Sequence, residues 1–504
     1  MKKISVLLVF SMLLSMLASC SNKADDSTEN NNNANGNISS ETEEQVEVNP
    51  YEEAWNALPD MDYSGRSFTV LTREDPSGTG DVALFEIITD PDDNLGEATS
   101  AAIYNRNLRV EERYGIKIKA EAPGNWDAVT DSLRQSVAAQ DHSYDLAAPV
   151  EFKTYAVVAA GLVGNWKDIP IINLEADWWN ARTNSQSTIN GKLYTACSDL
   201  AVSAVLNCYC FFFNADLATT YNIKAQDLQQ TVFDGKWTID YFQTLISDIW
   251  EDSNGNGEKD ENDIFGFAIA PGNTSDGWLT AFDQPLCSIS SAGQLEVTMF
   301  NDKTVSALEK VLALHDETVG SYRAPDWDTA LTDDMFKTNH VLFIPSWFEI
   351  ARDKLSDMES TYGILPYPKW DEAQDDYLCH LRDDTTFFAF PIDTAVEDYE
   401  FLGTIMEALN IESSRIVRPA FYDSALKGRY SMDINTAKIV DIIMDGAVFD
   451  FSFQYGNDYL FIPYMFRSCV MNKSFNIMSD YASQQKKINA GIKKVMGFYA
   501  DKDE

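Results

Sequence analysis

Between Ser67 and Ala148 the sequence switches back and forth between strand-like and helix-like stretches, and this limits the fold more than any other feature. Ser67–Thr72 (SFTVLT) is rich in β-branched and aromatic residues, as a strand requires. Residues 97–114 read as a helix, Ile116–Ala120 as a strand, 126–140 as a helix and Tyr144–Ala148 as a strand. Strands that alternate with crossover helices form a mainly parallel sheet. The expected class is therefore α/β.

The pattern continues along the chain. Leu193–Thr195 and Cys208–Phe213 are further strand candidates, the second apolar throughout as in a strand covered on both faces. Thr238–Glu251 is predicted to be one helix: Thr238 suits the N-cap, and Ile239, Phe242, Leu245, Ile246, Ile249 and Trp250 share a face. Strands are expected at Ile264–Ala270, Val341–Ile344 and Thr385–Pro391, and helices at 304–315 and Trp347–Met358. After Glu397 the chain reads as mostly helical. A chain of 504 residues exceeds one domain. Two lobes are expected, the first from 51–205 plus 362–395 and the second from 206–361 plus 396–504.

The first fifty residues stand apart. Lys2 and Lys3 precede an apolar run, Ile4–Leu17, too short to span a bilayer comfortably. The run ends in Leu17-Ala18-Ser19-Cys20, which looks like the lipobox of bacterial lipoproteins, where the signal is cut before the Cys and the thiol is lipidated. Residues 1–20 are thus read as a lipoprotein signal peptide with Cys20 as the lipidation site. Residues 21–50 hold almost no large apolar side chain and read as a flexible tether. The location expected is the outer face of the cell membrane, held by lipid alone.

Charge excludes some partners. The net charge is −41, and residues 1–50 carry only three basic and seven acidic side chains, so the acidity belongs to the folded body. Such a surface repels a phosphate backbone, so no nucleic acid is expected as a partner, and anionic headgroups are disfavoured too. Cys197, Cys208, Cys210, Cys287, Cys379 and Cys469 are scattered without a C-x-x-C pair and read as small buried residues. Four His without metal-ligand spacing, and no G-x-x-x-x-G-K-[ST], G-x-G-x-x-G, G-x-S-x-G or H-E-x-x-H, leave no familiar enzyme motif.

Asp252, Asn254, Asn256, Gly257 and Asp260 occupy positions one, three, five, six and nine of an EF-hand-like calcium loop. Glu258 would offer its carbonyl. Position twelve is Asp263 rather than Glu, so closure of the coordination sphere there is not expected. The loop is read as running from helix to strand, which suits a structural clamp rather than a sensor.

Four passages resemble the family 1 extracellular solute-binding proteins, the carbohydrate-binding lipoproteins of ABC importers. They are the lipobox with its polar tether; Asp177-Trp178-Trp179-Asn180 followed by Thr188-Ile189-Asn190-Gly191-Lys192-Leu193-Tyr194; Asp252–Phe267; and Tyr362–Lys369 followed by Asp371-Glu372-Ala373-Gln374. The likeness spans most of residues 60–490. It implies a two-lobed periplasmic-binding-protein-like fold (type II) with a hinge. It also implies a carbohydrate, expected to be an oligosaccharide, held in the interlobe cleft and passed to an ABC transporter permease. No catalysis is implied, and a monomer is expected. In resembling proteins a carboxylate just after position nine closes the calcium loop, here Glu261, so the implied Ca2+ set is Asp252, Asn254, Asn256, Glu258, Asp260 and Glu261.

Sugars present C–H faces that stack on aromatic planes and hydroxyls that bond carboxylates and Arg. Trp179, Trp278 and Trp347 lie beside turn residues, Glu74 and Asp75 follow the first strand, and Arg382 and Asp383 precede the strand expected at 385. Ligands of α/β sheets gather outside the carboxyl ends of strands, so these seven residues are the candidate ligand contacts. In resembling proteins the position of Trp347 commonly faces ligand. A surface glycoside hydrolase remains open, because 79 acidic residues easily supply two carboxylates. So does a peptide-binding surface lipoprotein.

Overall fold

The computed structural model describes residues 49–74, 83–90, 97–426 and 434–500. The signal, Cys20, almost all of the tether and Asp75 lie outside them. Asn49–Glu504 forms one compact unit by its internal contacts, and it contains two larger sheets.

In the first sheet β1 (Ser67–Leu71) lies between β2 (Lys117–Glu121) and β3 (Leu146–Ala147), all parallel, with Phe68 opposite Ile118 and Val70 opposite both Ala120 and Leu146. The connections are the helices Glu97–Tyr114 and Trp126–Ala139. The first ends at Gly115, whose φ of +59° suits the residue after a helix. Asn125 starts the second by accepting the Asp127 N–H.

The larger sheet is mixed. It contains β4 (Tyr209–Asn214), β5 (Trp250–Glu251), β6 (Ile264–Ile269), β9 (Ser321–Arg323), β10 (Val341–Trp347) and β11 (Tyr362–Leu365), while β7 (Cys287–Ile289) and β8 (Leu295–Val297) pair only with each other. The order is β11-β4-β10-β6-β5, with β9 on β6. β6 is parallel to β9 and β10, whereas β4 is antiparallel to both β10 and β11. The mainly parallel expectation therefore fits the first sheet and not the second. All six residues of β4 are buried. Phe211 packs among Phe242, Phe267, Trp278 and Tyr367, the centre of this half's core.

Several expected elements are shorter. The helix predicted over 238–251 stops at Ile246. The Ile249 N–H turns back to the Ile246 carbonyl, and Trp250 and Glu251 pair antiparallel with Phe265 and Ile264. Ile249 and Trp250 keep the helical spacing by chance while packing as a turn and a strand. Helix 347–358 contracts to Glu349–Asp353 because β10 runs on through Trp347. Leu193–Thr195 and Thr385–Pro391 form no strand; the second makes isolated bridges from Thr386, Phe388, Ala389 and Pro391 to Val150, Ala196, Ala147 and Val163.

The pairing also divides the two shared segments differently from the expected lobe boundaries. In 362–395, β11 joins the larger sheet, while 386–391 bridges to the first-sheet half. In 396–504, the helix Tyr399–Glu412 lies against the first half: a Cβ on Gly403 would sit 2.2 Å from the Pro170 carbonyl oxygen, and Glu412 pairs with Arg109 at 2.9 Å. A seam joins the halves. There β12 (Cys379–His380) pairs with β13 (Ala447–Val448), Leu381 bridges to Cys208, and the Arg382 N–H donates to the Asn207 carbonyl.

His315 and His380 are buried, and burial, aided by Arg323 and Arg467 respectively, pushes both imidazoles down to about 3. The unfolded chain binds their protons near pH 6.5 and the folded chain refuses them. Their contribution is present above pH 6.5 and is lost as pH falls from there towards 3. Among the described residues His315 has no hydrogen-bond partner on either ring nitrogen. His315→Leu is therefore expected to narrow the gap between the melting temperatures at pH 7 and pH 4.5, measured by calorimetry. An unchanged gap would contradict the neutral, buried assignment.

Candidate ligand cleft

β1, β3, β6 and β10 all end towards the seam, and the residues that follow them meet there. β10 delivers Trp347. Its ring carries the Arg382 guanidinium 4.3 Å from the centroid and takes the edge of Tyr209 at 5.8 Å. The Trp347 indole N–H donates to Glu349 at 3.1 Å, and Glu349 lies 3.7 Å from Arg382, which also pairs with Asp384. Burial raises the Glu349 carboxyl above its ordinary value, against the pull of Arg382. The Arg382 side chain remains 20% exposed, so this stacked pair faces solvent in part.

The loop after β6 brings Asp276, whose carboxylate is held by Arg467 in a two-pronged pair. Burial pushes Asp276 up to about 6 despite that guanidinium. Arg467 stands 4.7 Å over the Tyr464 ring, and the Tyr464 hydroxyl donates to Asp383 at 3.2 Å. After β3 come Glu151 and Phe152. The Glu151 N–H bonds the Thr385 carbonyl and the Phe152 N–H bonds the Asp383 carbonyl. The Phe152 ring meets Trp126 edge-on at 5.6 Å, and Trp126 is 37% exposed. Glu74, exposed after β1, donates its N–H to Gly124 just before that tryptophan. The arrangement offers aromatic faces and charged hydrogen-bonding groups from both sheets, as binding a polyhydroxylated ring requires.

Of the seven residues singled out by sequence, Trp347, Arg382 and Asp383 cluster here and Glu74 lies on the rim. Trp278 does not: it is fully buried against Phe211, Phe282, His315 and Tyr367. Its loop turns into the helix Gly277–Ala281, which lays the indole on the larger sheet. Trp179 is 2% exposed, donates to Glu407 at 2.9 Å, and lines a different cavity of about 550 Å³ with Tyr51, Asp199 and Arg418. Sequence reasoning passed over Trp126, Phe152, Glu349, Tyr464 and Arg467. Only Trp126 carried a local signal, following Gly124-Asn125 at a strand end.

The 252–263 segment joins β5 to β6, so it runs strand to strand rather than helix to strand. The Asp252 carboxylate accepts the N–H groups of Gly255, Asn256 and Gly257 at 2.7, 3.1 and 2.8 Å. The amides of Asn254 and Asn256 reach Asp260 at 2.8 and 2.6 Å. Positions three, five and nine are thus drawn together, while position one closes the turn on the backbone of 255–257. Gly255 and Gly257 adopt φ of +73° and +77°, a turn that side chains resist. Asp263 is buried and accepts from Trp250 Nε1 and the Ser253 N–H, both at 3.1 Å, and from the Asp260 N–H at 3.4 Å. Glu258 and Glu261 are exposed. Among the described residues no three His, Cys, Asp or Glu side chains converge on a metal position.

No family model matches this sequence, and no curated protein matches it either. Solved structures do match. UspC of M. tuberculosis aligns at TM-score 0.54 and 13% identity, over 84% of this chain and all of its own. A cyclo/maltodextrin-binding protein complexed with maltotetraose aligns at 0.52 and 12%, covering 87% and 99%. An ABC substrate-binding protein from Listeria monocytogenes, in complex with cycloalternan, aligns at 0.50 and 14%, covering 86% and 100%. At such identity the likeness speaks for the fold: the chain has the α/β periplasmic-binding-protein-like architecture.

Proposed function

We propose that this protein is the solute-binding component of an ABC importer and takes a carbohydrate, in particular an oligosaccharide, at the seam between its two sheets. The observation that carries the reading is the Arg382–Trp347–Glu349 cluster. It sets an aromatic plane beside charged groups where strand ends of both halves meet. The fold supports it, since known proteins of this architecture include those crystallised with maltotetraose and cycloalternan. The two halves act as lobes, the seam at 207–208, 379–382 and 447–448 as hinge, and ligand stabilises the closed form that a permease recognises. Lipid on Cys20 anchors a monomer at the outer face of the membrane, with 21–50 as tether. No bond is broken: incubation with oligosaccharides that bind should yield no shorter products on chromatography, whereas hydrolysis products would establish a glycoside hydrolase. Binding of peptides and of no sugar would move the protein to another class of carrier.

We propose further that 252–261 holds structural Ca2+ through Asp252, Asn254, Asn256, the Glu258 carbonyl, Asp260 and Glu261. The Asn254 and Asn256 amides drawn onto Asp260, in a turn closed by the Asp252 carboxylate, support this. Calcium at a hundred times its Kd adds about 2.7 kcal/mol of stability. A chelator is therefore expected to lower the melting temperature by several degrees, and Asp260→Ala to abolish that response. A midpoint indifferent to chelator would remove calcium from the account.

A further inference from the structure

Among the described residues the carboxylates at the seam outnumber the cations, and Lys153 beside them is taken by Asp127. Arg382 is shared between Glu349 and Asp384, and Arg467 is taken by Asp276. Arg73 is buried, with its guanidinium on the carbonyls of Ala148 and Asp384 and on the Thr386 hydroxyl. Among the described residues Glu151, Asp383 and Asp450 have no ion-pair partner. Asp450 is satisfied by the N–H groups of Leu286 and Ser452 and the Ser452 hydroxyl. Asp383 has one neutral donor, Tyr464. Glu151 is fully buried, and neither of its carboxyl oxygens has a hydrogen-bond partner among the described residues. It lies behind Asp383, whose carbonyl takes the N–H of the next residue, Phe152.

An ordinary core does not keep such a group. Burying a carboxyl without partners is costly, and closing a water-excluding cleft over unmatched carboxylates costs more. A neutral sugar brings hydroxyls but no charge. A compact cation with its own N–H donors fits, because it needs only charge-assisted hydrogen bonds rather than a coordination shell.

We infer that the carbohydrate bound at the seam carries a protonated amine, as an amino sugar does, and that Asp383 receives it, with the buried Glu151 carboxyl beside it adding its charge. The inference rests on the sugar-binding reading above and narrows it. It has a proton signature. Burial, with Asp383, Asp384 and Asp450 nearby, drives the Glu151 carboxyl well above its ordinary value. The Tyr464 phenol is the other titrating group beside it, itself raised. An arriving ammonium stabilises the Glu151 carboxylate, so binding expels a proton. A neutral ligand does not.

The test is calorimetric titration of the protein with three β-1,4-linked tetrasaccharides that differ only at C2: glucosamine, N-acetylglucosamine and glucose oligomers. Each is titrated in two buffers of different ionisation enthalpy. The glucosamine oligomer is expected to bind roughly tenfold or more tighter than the other two, the usual worth of a charged hydrogen bond, and to release a proton. Glu151→Gln, which keeps the shape, is expected to lose that preference and the proton release; Asp383→Asn is expected to weaken the glucosamine oligomer as well. Equal or tighter binding of the neutral oligomers overturns the amine and leaves the sugar reading standing. Tight glucosamine binding without proton release, or unaltered by Glu151→Gln, removes Glu151 from the site. Failure of all three to bind overturns the amine, and the wider sugar panel then decides whether the carbohydrate reading falls with it.

Discussion

Trp278→Ala is expected to destabilise the protein by about 3–5 kcal/mol, the usual cost of emptying a fully buried tryptophan site. The indole is walled by Phe211, Phe282, His315 and Tyr367, with ring centroids 5.2–6.1 Å away. These rings belong to a sheet and helices that also hold one another, so the void cannot close. Urea unfolding should show a lower midpoint at unchanged slope. Trp278→Phe should cost less, because it also removes an indole N–H that has no partner. Sugar affinity of the folded fraction should change little. A large loss of affinity at normal stability would return Trp278 to the cleft.

Trp347→Ala should do the reverse. Trp347 is only partly buried, as is the Arg382 guanidinium stacked on it, while Tyr209 on its inner side is fully buried. Water can replace the ring, so the loss of stability should stay below about 1 kcal/mol. Its removal takes away the stacking plane and frees Arg382 from the ring and Glu349 from the indole N–H. A stacked ring contributes about 2 kcal/mol through buried area and ring electronics, so sugar affinity should fall roughly 30-fold by calorimetry. Unchanged affinity would place the ligand elsewhere, the cavity beside Trp179 being the first alternative.

These two residues mark where sequence reading stops. Both follow turn residues at a strand end, and both are tryptophan. What separates them is the short helix Gly277–Ala281, which turns one indole into the core, while β10 runs straight through to present the other. That choice is made by tertiary packing, which no local pattern reports. Elements with strong local determinants were legible: the helix at 97–114 has a positive-φ glycine after it, and the helix from 126 has an Asn cap. The overrun of the 238–251 helix arose because Ile249 and Trp250 satisfy the helical period and the strand pairing at once. The three-residue β9 is too short to carry a period. Tyr464 and Arg467 were invisible as site residues because they arrive from the C-terminal helical tail, more than 80 positions beyond Asp383 and 190 beyond Asp276. The acidic loop at 252–263 was read from its spacing, yet its strand-to-strand setting depended on the misread helix.

The central claim is that the seam binds sugar without consuming it. The measurement that tests it most directly is a thermal-shift panel of the protein against mono- and oligosaccharides and short peptides, followed by chromatography of any sugar that binds. A ligand at a hundred times its Kd adds about 2.7 kcal/mol, well within detection. The account predicts a raised midpoint with at least one sugar, loss of that shift in Trp347→Ala, and the sugar recovered intact. Shifts from peptides alone, or a sugar recovered as fragments, would contradict it.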